Sequence, residues 1–461
     1  MFRLIPKTIT AACLLLFHVP ATWAQQTSFE QAWQMLLQNN DGLAAEKASV
    51  EQAQFKQEAS GALSLPSVSL SANYTRLDDD ITLSPSELAD STSLGAGPLT
   101  QAFDSMLTST LLEKDVFTSS IRAIWPIFTG GRISAAQDIA AAQAQEAQYM
   151  LAMKQQGKFE DLTKYYFGVV LAKQVYTTRQ AAEQRLQKHY QHAYKMEQQG
   201  QIAHVETLQA QAAYDKAKVD TKKAQRDLEI AQMALTRLIK APSLAEPSTG
   251  LFINQNLPPM QGFLDKTLAD YPGLSILDAK EKQAAGLVKV EKGKYYPEVY
   301  VYGNYNIYKD DNLVSETTPD WLVGVGVSVP LIDSSGRSDK VGAAHTAVKK
   351  VGYLRAQAQQ DLSLLVEKTY REANQALEEY QGLASSVEMA QENIRLRSKA
   401  FSQGLSTSLD VVDAQLYLAS IQTQRAGAAY QYVLSLSRLL AVSGEINRFK
   451  QYQQYQGIEV Q

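Results

Sequence analysis

The sequence predicts an α+β membrane protein built by internal duplication, with short amphipathic β-strands joined to helices far longer than those of globular domains. Three observations carry that reading. The chain repeats an unusual order of segments. Pro66-Ser-Val-Ser-Leu-Ser-Ala-Asn-Tyr74, then Trp125-Pro-Ile-Phe-Thr-Gly-Gly-Arg132, then Gly200 with Glu206-Thr-Leu-Gln-Ala-Gln211 are answered in the second half. The answering segments are Pro297-Glu-Val-Tyr-Val-Tyr-Gly-Asn-Tyr305, Val329-Pro-Leu-Ile-Asp-Ser-Ser-Gly-Arg337 and Gly404 with Asp410-Val-Val-Asp-Ala-Gln415. Proline is absent from Ile127 to Ala241 and after Pro330. Since a helix-interior proline costs ~3 kcal/mol or more, both stretches are free to be helical throughout. Finally, four segments of about ten residues alternate apolar and polar residues, the length of a tilted membrane strand.

In chain order, Arg3 and Lys7, the apolar stretch Ile9 to Phe17 and Thr22-Trp-Ala24 fit a secretory leader over 1–24. The only cysteine, Cys13, lies inside it, so the exported chain is expected to lack thiols and disulfides. The first repeat, 25–241, opens with a helix over 28–64, where Ser28-Phe-Glu-Gln31 is a capping-box pattern. In 67–75, Val68, Leu70, Ala72 and Tyr74 alternate with serines and Asn73. A polar insertion from Asp78 to Asp115 leads to 117–127, where Phe117, Ile121, Ala123, Trp125 and Ile127 share a face. The 66 residues from Ser134 to Gln199 are rich in Ala, Gln, Lys and Glu, good helix formers that would span ~100 Å. Gly200 is the expected left-handed cap, and a shorter helix follows over 204–240.

A linker, 242–261, carries Pro242, Pro247, Pro258 and Pro259. The second repeat, 262–441, runs in the same order. It has a helix over 262–293, a strand over 298–308, a short loop from Lys309 to Pro319 and a strand over 321–331. A long helix from Ser338 to Gln403, the Gly404 cap and a helix over 408–441 complete it. Ala344, Ala347, Val351, Leu354 and Ala358 step by three and four, a coiled-coil spacing. A tail, 442–461, closes the chain. The tyrosines Tyr74 and Tyr305 are 231 apart, but the prolines Pro126 and Pro330 only 204, so the first inter-strand loop is 27 residues longer.

Four strands do not close a barrel, and open sheet edges are not tolerated in lipid. Two chains would supply eight strands, a number whose barrel is filled by its own side chains; three would supply twelve and leave a lumen. A homotrimer with a 12-stranded barrel is therefore expected. Formal charge is -4, from 44 basic and 48 acidic residues, which gives no reason to expect nucleic acid. No apolar run is long enough for a transmembrane helix.

The two strand-to-helix motifs and the turns Gln199-Gly-Gln-Ile-Ala-His-Val-Glu206 and Gln403-Gly-Leu-Ser-Thr-Ser-Leu-Asp410 are in the right order twice over. With them the chain, over about residues 27–445, resembles the TolC family of outer-membrane efflux and export proteins. The second strand-to-helix motif departs from the family's double glycine with Ser334-Ser335-Gly336. The resemblance implies a trimeric channel-tunnel whose barrel sits in the outer membrane and whose helical cylinder crosses the periplasm. An inner-membrane pump or ABC exporter and a periplasmic adaptor would be its partners. The linker and tail would form an equatorial belt.

Asp410 and Asp413 are three apart, hence on one helix face. Acids there also suit a helix start on their own account. The resemblance implies that this pair lines the channel constriction, a carboxylate ring favouring cations. It also implies a gate network at Glu206, Phe401 and Ser406. Phe401 stands where a tyrosine is typical, Ser406 where an arginine is typical and Glu206 where an aspartate is. Phe401 and Ser406 cannot make phenolic and ionic links, so the closed lock must differ or be weaker. The turns Gly200-Gln201-Ile202 and Gly404-Leu405 are the expected adaptor contacts. No catalytic, cofactor or metal site stands out. Thr129-Gly-Gly-Arg132 lacks the spacing and lysine of a phosphate loop, and His189 and His192 lack a third ligand. A passive porin and a periplasmic coiled-coil scaffold are the alternative readings; the first has no need of ~100 Å helices and the second no need of four lipid-matched strands.

Overall fold

The computed structural model describes residues 25–92, 97–310, 312–332, 334–454 and 457–460. The expected leader, with Cys13, lies outside them. The chain forms two compact units.

One unit, Ala44–Lys154 with Leu268–Ser363, holds the strands. β1 (Ser67–Arg76), β2 (Asp115–Phe128), β3 (Glu298–Lys309) and β4 (Trp321–Ser328) form one antiparallel sheet in the order β1-β2-β3-β4. Register aligns the alternation of every strand. Leu70 pairs Ile121, Ile121 pairs Tyr305, and Tyr305 pairs Trp321. Trp125, Val301 and Val325 form a second such row. The other face carries Ser69, Arg122 and Asn304 in line. On the apolar face Val68, Leu70, Trp321, Val323 and Val325 are all exposed, as side chains meant for lipid would be. On the polar face Tyr302 and Tyr300 lie over Gly324 and Gly326, where any Cβ would collide with their rings. The glycines of β4 are thus seats for tyrosines, an arrangement that fills the gap left by a missing side chain.

Each strand-to-helix corner is held by its motif. At Gly130 (φ 63°) an added Cβ would overlap the Gly293 carbonyl, so this position needs glycine for both its backbone and its space. Arg132 then pairs with Glu298. At the second corner Gly336 is the one left-handed residue among those described (φ 64°), and Arg337 donates to the Pro330 carbonyl at 3.0 Å and covers the Tyr295 ring. Neither Ser334 nor Ser335 is left-handed, so neither position demands glycine.

Several expected elements are corrected. The helix over 28–64 is two, α1 (Phe29–Asn39) and α2 (Asp41–Gly61). Asn40 between them is extended, and its side chain accepts from the Leu43 N–H at 3.0 Å, capping the second. The helix over 262–293 likewise divides into α5 (Met260–Asp270) and α6 (Pro272–Gly293), because Pro272 pushes Tyr271 out of helical conformation. The insertion after β1 contains a hairpin, Ile81–Leu83 with Ser109–Leu112, and helices Pro85–Asp90 and Pro98–Leu107. The second loop contains a short helix, Leu313–Thr317. The fourth strand ends at Ser328, before Pro330, which has no N–H to give a ladder.

The other unit comprises Met1–Leu43, Gln155–Thr267 and Leu364–Gln461. It holds α4 (His204–Ile239), α8 (Ser408–Val442) and the distal parts of the two long helices, α3 (Arg132–Gln198) and α7 (Arg337–Ser402). Phe29, Phe159, Tyr166, Phe167, Phe252 and Phe449 form an aromatic nest in its core. The linker and tail enter that core. Phe252–Asn254 pairs antiparallel with Gly457–Glu459, and Asn254 is bonded to the Tyr432 hydroxyl and the Tyr452 carbonyl. Gln25–Thr27 pairs in parallel with Ala245–Pro247.

Candidate functional site at the helical turns

The predicted site residues come together at two turns in the second of these units, α3 to α4 and α7 to α8. Both turns have the same backbone. Gly200 (φ 70°) and Gly404 (φ 72°) are left-handed. Gln201 N–H donates to the Met196 carbonyl and Gly200 N–H to that of Glu197; Leu405 and Gly404 repeat this on Ala400 and Phe401. This is the Schellman pattern, which satisfies carbonyls that a helix end leaves bare. Gly200, Gln201, Gly404 and Leu405 are exposed. Ile202 is half-buried against the cluster of Ala193, Met196, Ala210, Phe401 and Val411.

Phe401 is therefore core and not surface. It is 2% exposed, and its ring stands edge-on to His189 at 4.7 Å. Glu206, in the first turn of α4, does not cap its own helix. Its Oε2 accepts from the Ser408 N–H at 2.5 Å, at the start of α8. Ser406 Oγ donates to Asp410 Oδ2 at 3.0 Å.

The two aspartates differ. Asp410 is engaged on every side. Its Oδ2 accepts from the Thr407 N–H at 2.9 Å and the Thr407 hydroxyl at 2.8 Å as well as from Ser406, completing a capping box, and Oδ1 lies 3.4 Å from Arg397. These bonds, the Thr407 ones first and the Arg397 charge last, hold its carboxyl below the usual carboxylate range. Asp413, one turn on, is exposed and accepts no hydrogen bond and joins no ion pair among the described residues.

Sequence reasoning missed three participants. Ser408 is fully buried and joins α8 to two other helices: to Glu206 through its N–H, and to His189 Nε2 through Oγ at 2.7 Å. His189, weighed in the sequence only as a metal ligand, is held neutral. Burial, with the neighbouring His192 charge, lowers its pKa to about 4 against the opposing Ser408 bond. Arg397 supplies the cation that Ser406 lacks, from one turn before the end of α7. A separation of more than 200 residues hid the Ser408 contacts with His189 and Glu206, while Arg397 reaches Asp410 across the turn from α7 to α8, 13 residues away. Among the described residues no group of three His, Cys, Asp or Glu side chains is placed to hold a metal, and no helix is long and apolar enough to cross a membrane.

A duplicated chain with a four-stranded sheet, apolar on one face, and paired helices of 66 and 67 residues defines a class of outer-membrane channel. The chain belongs to the outer membrane efflux protein family, which matches residues 32–239 and 263–445. It is 22% identical over 289 residues to the alkaline protease secretion protein AprF of Pseudomonas aeruginosa, covering 61% of this chain and 60% of AprF. It therefore spans less than two thirds of that relative. It is 22% identical over 327 residues to the outer membrane protein TolC of Vibrio cholerae, covering 67% of this chain and 73% of TolC. Its fold matches the crystal structure of VceC, an outer membrane protein of Vibrio cholerae, with a TM-score of 0.72 at 16% identity over 90% of this chain and 96% of VceC. Membership makes this chain a transport protein rather than an enzyme, an outer-membrane channel extending into the periplasm.

Proposed function

We propose that three copies of this chain form the passive outer-membrane duct of a tripartite efflux pump or type I secretion system. Substrate arrives from an inner-membrane pump or ABC exporter through a periplasmic adaptor that grips the turns at Gly200-Gln201-Ile202 and Gly404-Leu405. The single observation that carries the reading is the sheet. Its outer strands β1 and β4 each leave one edge unpaired among the described residues, and only further copies can satisfy those edges in lipid. The secretion protein AprF among its relatives supports the type I arm.

The channel mouth is assigned to the start of α8, with unequal duties for its carboxylates. Asp413 presents charge to permeating ions, while Asp410 chiefly fixes the turn. The test is single-channel recording of purified trimers in planar bilayers. Asp413→Asn should lower cation preference and weaken block by multivalent cations, and the double variant with Asp410→Asn should in addition raise conductance. Traces from the double variant that match the wild type would remove the mouth from this turn.

A further inference from the structure

We propose that the cavity around Arg425 is a binding site for a compact oxyanion of the phosphate class, separate from the conduction path residues assigned above. The cavity has a volume of about 410 Å³. Three helices line it: α3 through Gln174, Thr177 and Thr178, α7 through Val387 and Gln391, and α8 through Gln422, Arg425 and Ala426; Val460 adds a wall. Among the described residues that line it, the one formal charge is the Arg425 guanidinium and none is an acid.

The guanidinium has an aromatic support but no counter-charge. It lies over the Tyr380 ring, 4.3 Å from the centroid, and Tyr380 is itself buried. Nε is buried without a hydrogen-bond partner, and among the described residues Arg425 enters no ion pair. A buried donor left bare is unfavourable, and more so when it is charged. The arginines that pair elsewhere in this chain find carboxylates at short range, as Arg355 does with Asp278 at 2.6 Å. Arg425 is a cation fixed by stacking in the wall of a cavity.

The rest of the lining selects the charge. Thr177 and Thr178 spend their hydroxyl protons on the helix carbonyls of Lys173 and Gln174. The side-chain amides of Gln174, Gln391 and Gln422 make no hydrogen bond among the described residues. Three free NH2 groups and one guanidinium offer donors to several oxygens at once, which suits a tetrahedral oxyanion held by the planar arginine fork. A cation has no carboxylate here to receive it. An apolar ligand would leave all four donors unpaired.

The test uses the purified, detergent-solubilised trimer. Its unfolding temperature and 31P line width are followed as inorganic phosphate replaces chloride at constant ionic strength. Sulfate and glycerol 3-phosphate arms separate a general oxyanion site from one that takes a free ion or a phosphomonoester. Phosphate should raise the unfolding temperature saturably. Arg425→Gln should weaken apparent phosphate affinity at least tenfold, and Arg425→Lys, which keeps the charge but loses the fork, by less. Gln391→Leu, with Arg425 intact, should weaken it about threefold, so a folding defect in the arginine variants does not decide the outcome. A phosphate response absent from the wild type, or unchanged in Arg425→Gln, overturns the site. So does a trimer structure in which a neighbouring copy's carboxylate already pairs with Arg425. Each of these results leaves the duct reading untouched.

Discussion

The two turns are positions 204 apart throughout, and they share a backbone but not a chemistry. Gly200 and Gly404 take the same left-handed conformation, with the same pair of reaching-back hydrogen bonds. Glu197 corresponds to Phe401, Ala203 to Thr407, Glu206 to Asp410 and Gln209 to Asp413. The first turn has no side-chain cap at Ala203 and sends its acid, Glu206, across to Ser408 of α8. The second caps itself through Thr407 and Asp410, buries Phe401 as its anchor and leaves Asp413 free. Duplication kept what the backbone demands, and divergence placed the self-contained cap and the free carboxylate on one side only.

That comparison is broken most severely at the anchor. Phe401→Ala should cost about 3–4 kcal/mol in chemical denaturation of the trimer, the range for emptying a buried phenyl site. Glu197→Ala, at the matching place, should lose far less, because it empties no core site and its carboxylate only meets the Thr207 hydroxyl and the exposed His204. Equal losses would mean that the turns are not held differently.

Acid should act next most strongly, and through the link between the turns. His189 has a folded pKa of about 4, below its ordinary value of 6.5. The unfolded chain therefore takes up a proton that the folded chain refuses. Stability is full above pH 6.5, falls as pH drops towards 4, and levels below it, a change of roughly 3 kcal/mol for a shift of this size. His189→Gln should flatten that part of the pH-stability curve. A variant curve parallel to the wild type would show that His189 already titrates normally.

Smaller effects sharpen the contrast in caps. Thr407→Ala should lose about 1 kcal/mol, while Ala203→Thr at the uncapped turn should gain up to about the same, both read as shifts in unfolding midpoint. At the far ends of α4 and α8 the chain turns again with left-handed residues, Lys240 (φ 50°) and Gly444 (φ 72°), also 204 apart. Lys240→Gly should stabilise by up to about 1 kcal/mol, reduced slightly by loss of the exposed pair with Asp41. Gly444→Lys should lose about as much.

Much of the fold was legible because its signals are local. Proline-free length, period-two alternation and turn glycines each act within a few residues, so the long helices, the four strands and both caps could be read in order. The breaks at Asn40 and Tyr271 were missed although their signals are also local: an asparagine able to cap, and a proline that excludes helix from the residue before it. The candidate site was legible only in part. The sequence placed Asp410 and Asp413 on one helix face but gave them the same role.

What the sequence determined by itself was the duplication, the alternation that makes one sheet face apolar, and the helix lengths, since periodicity and backbone propensity are properties of neighbouring residues. The Thr407 and Ser406 bonds to Asp410 are local, but only the tertiary structure decided that Arg397 of α7 also reaches it and that Asp413 is free. It alone brought His189 and Glu206 onto Ser408, across more than 200 residues of chain. Such contacts depend on which helix faces meet, and side-chain packing between distant segments leaves no periodic trace in either one.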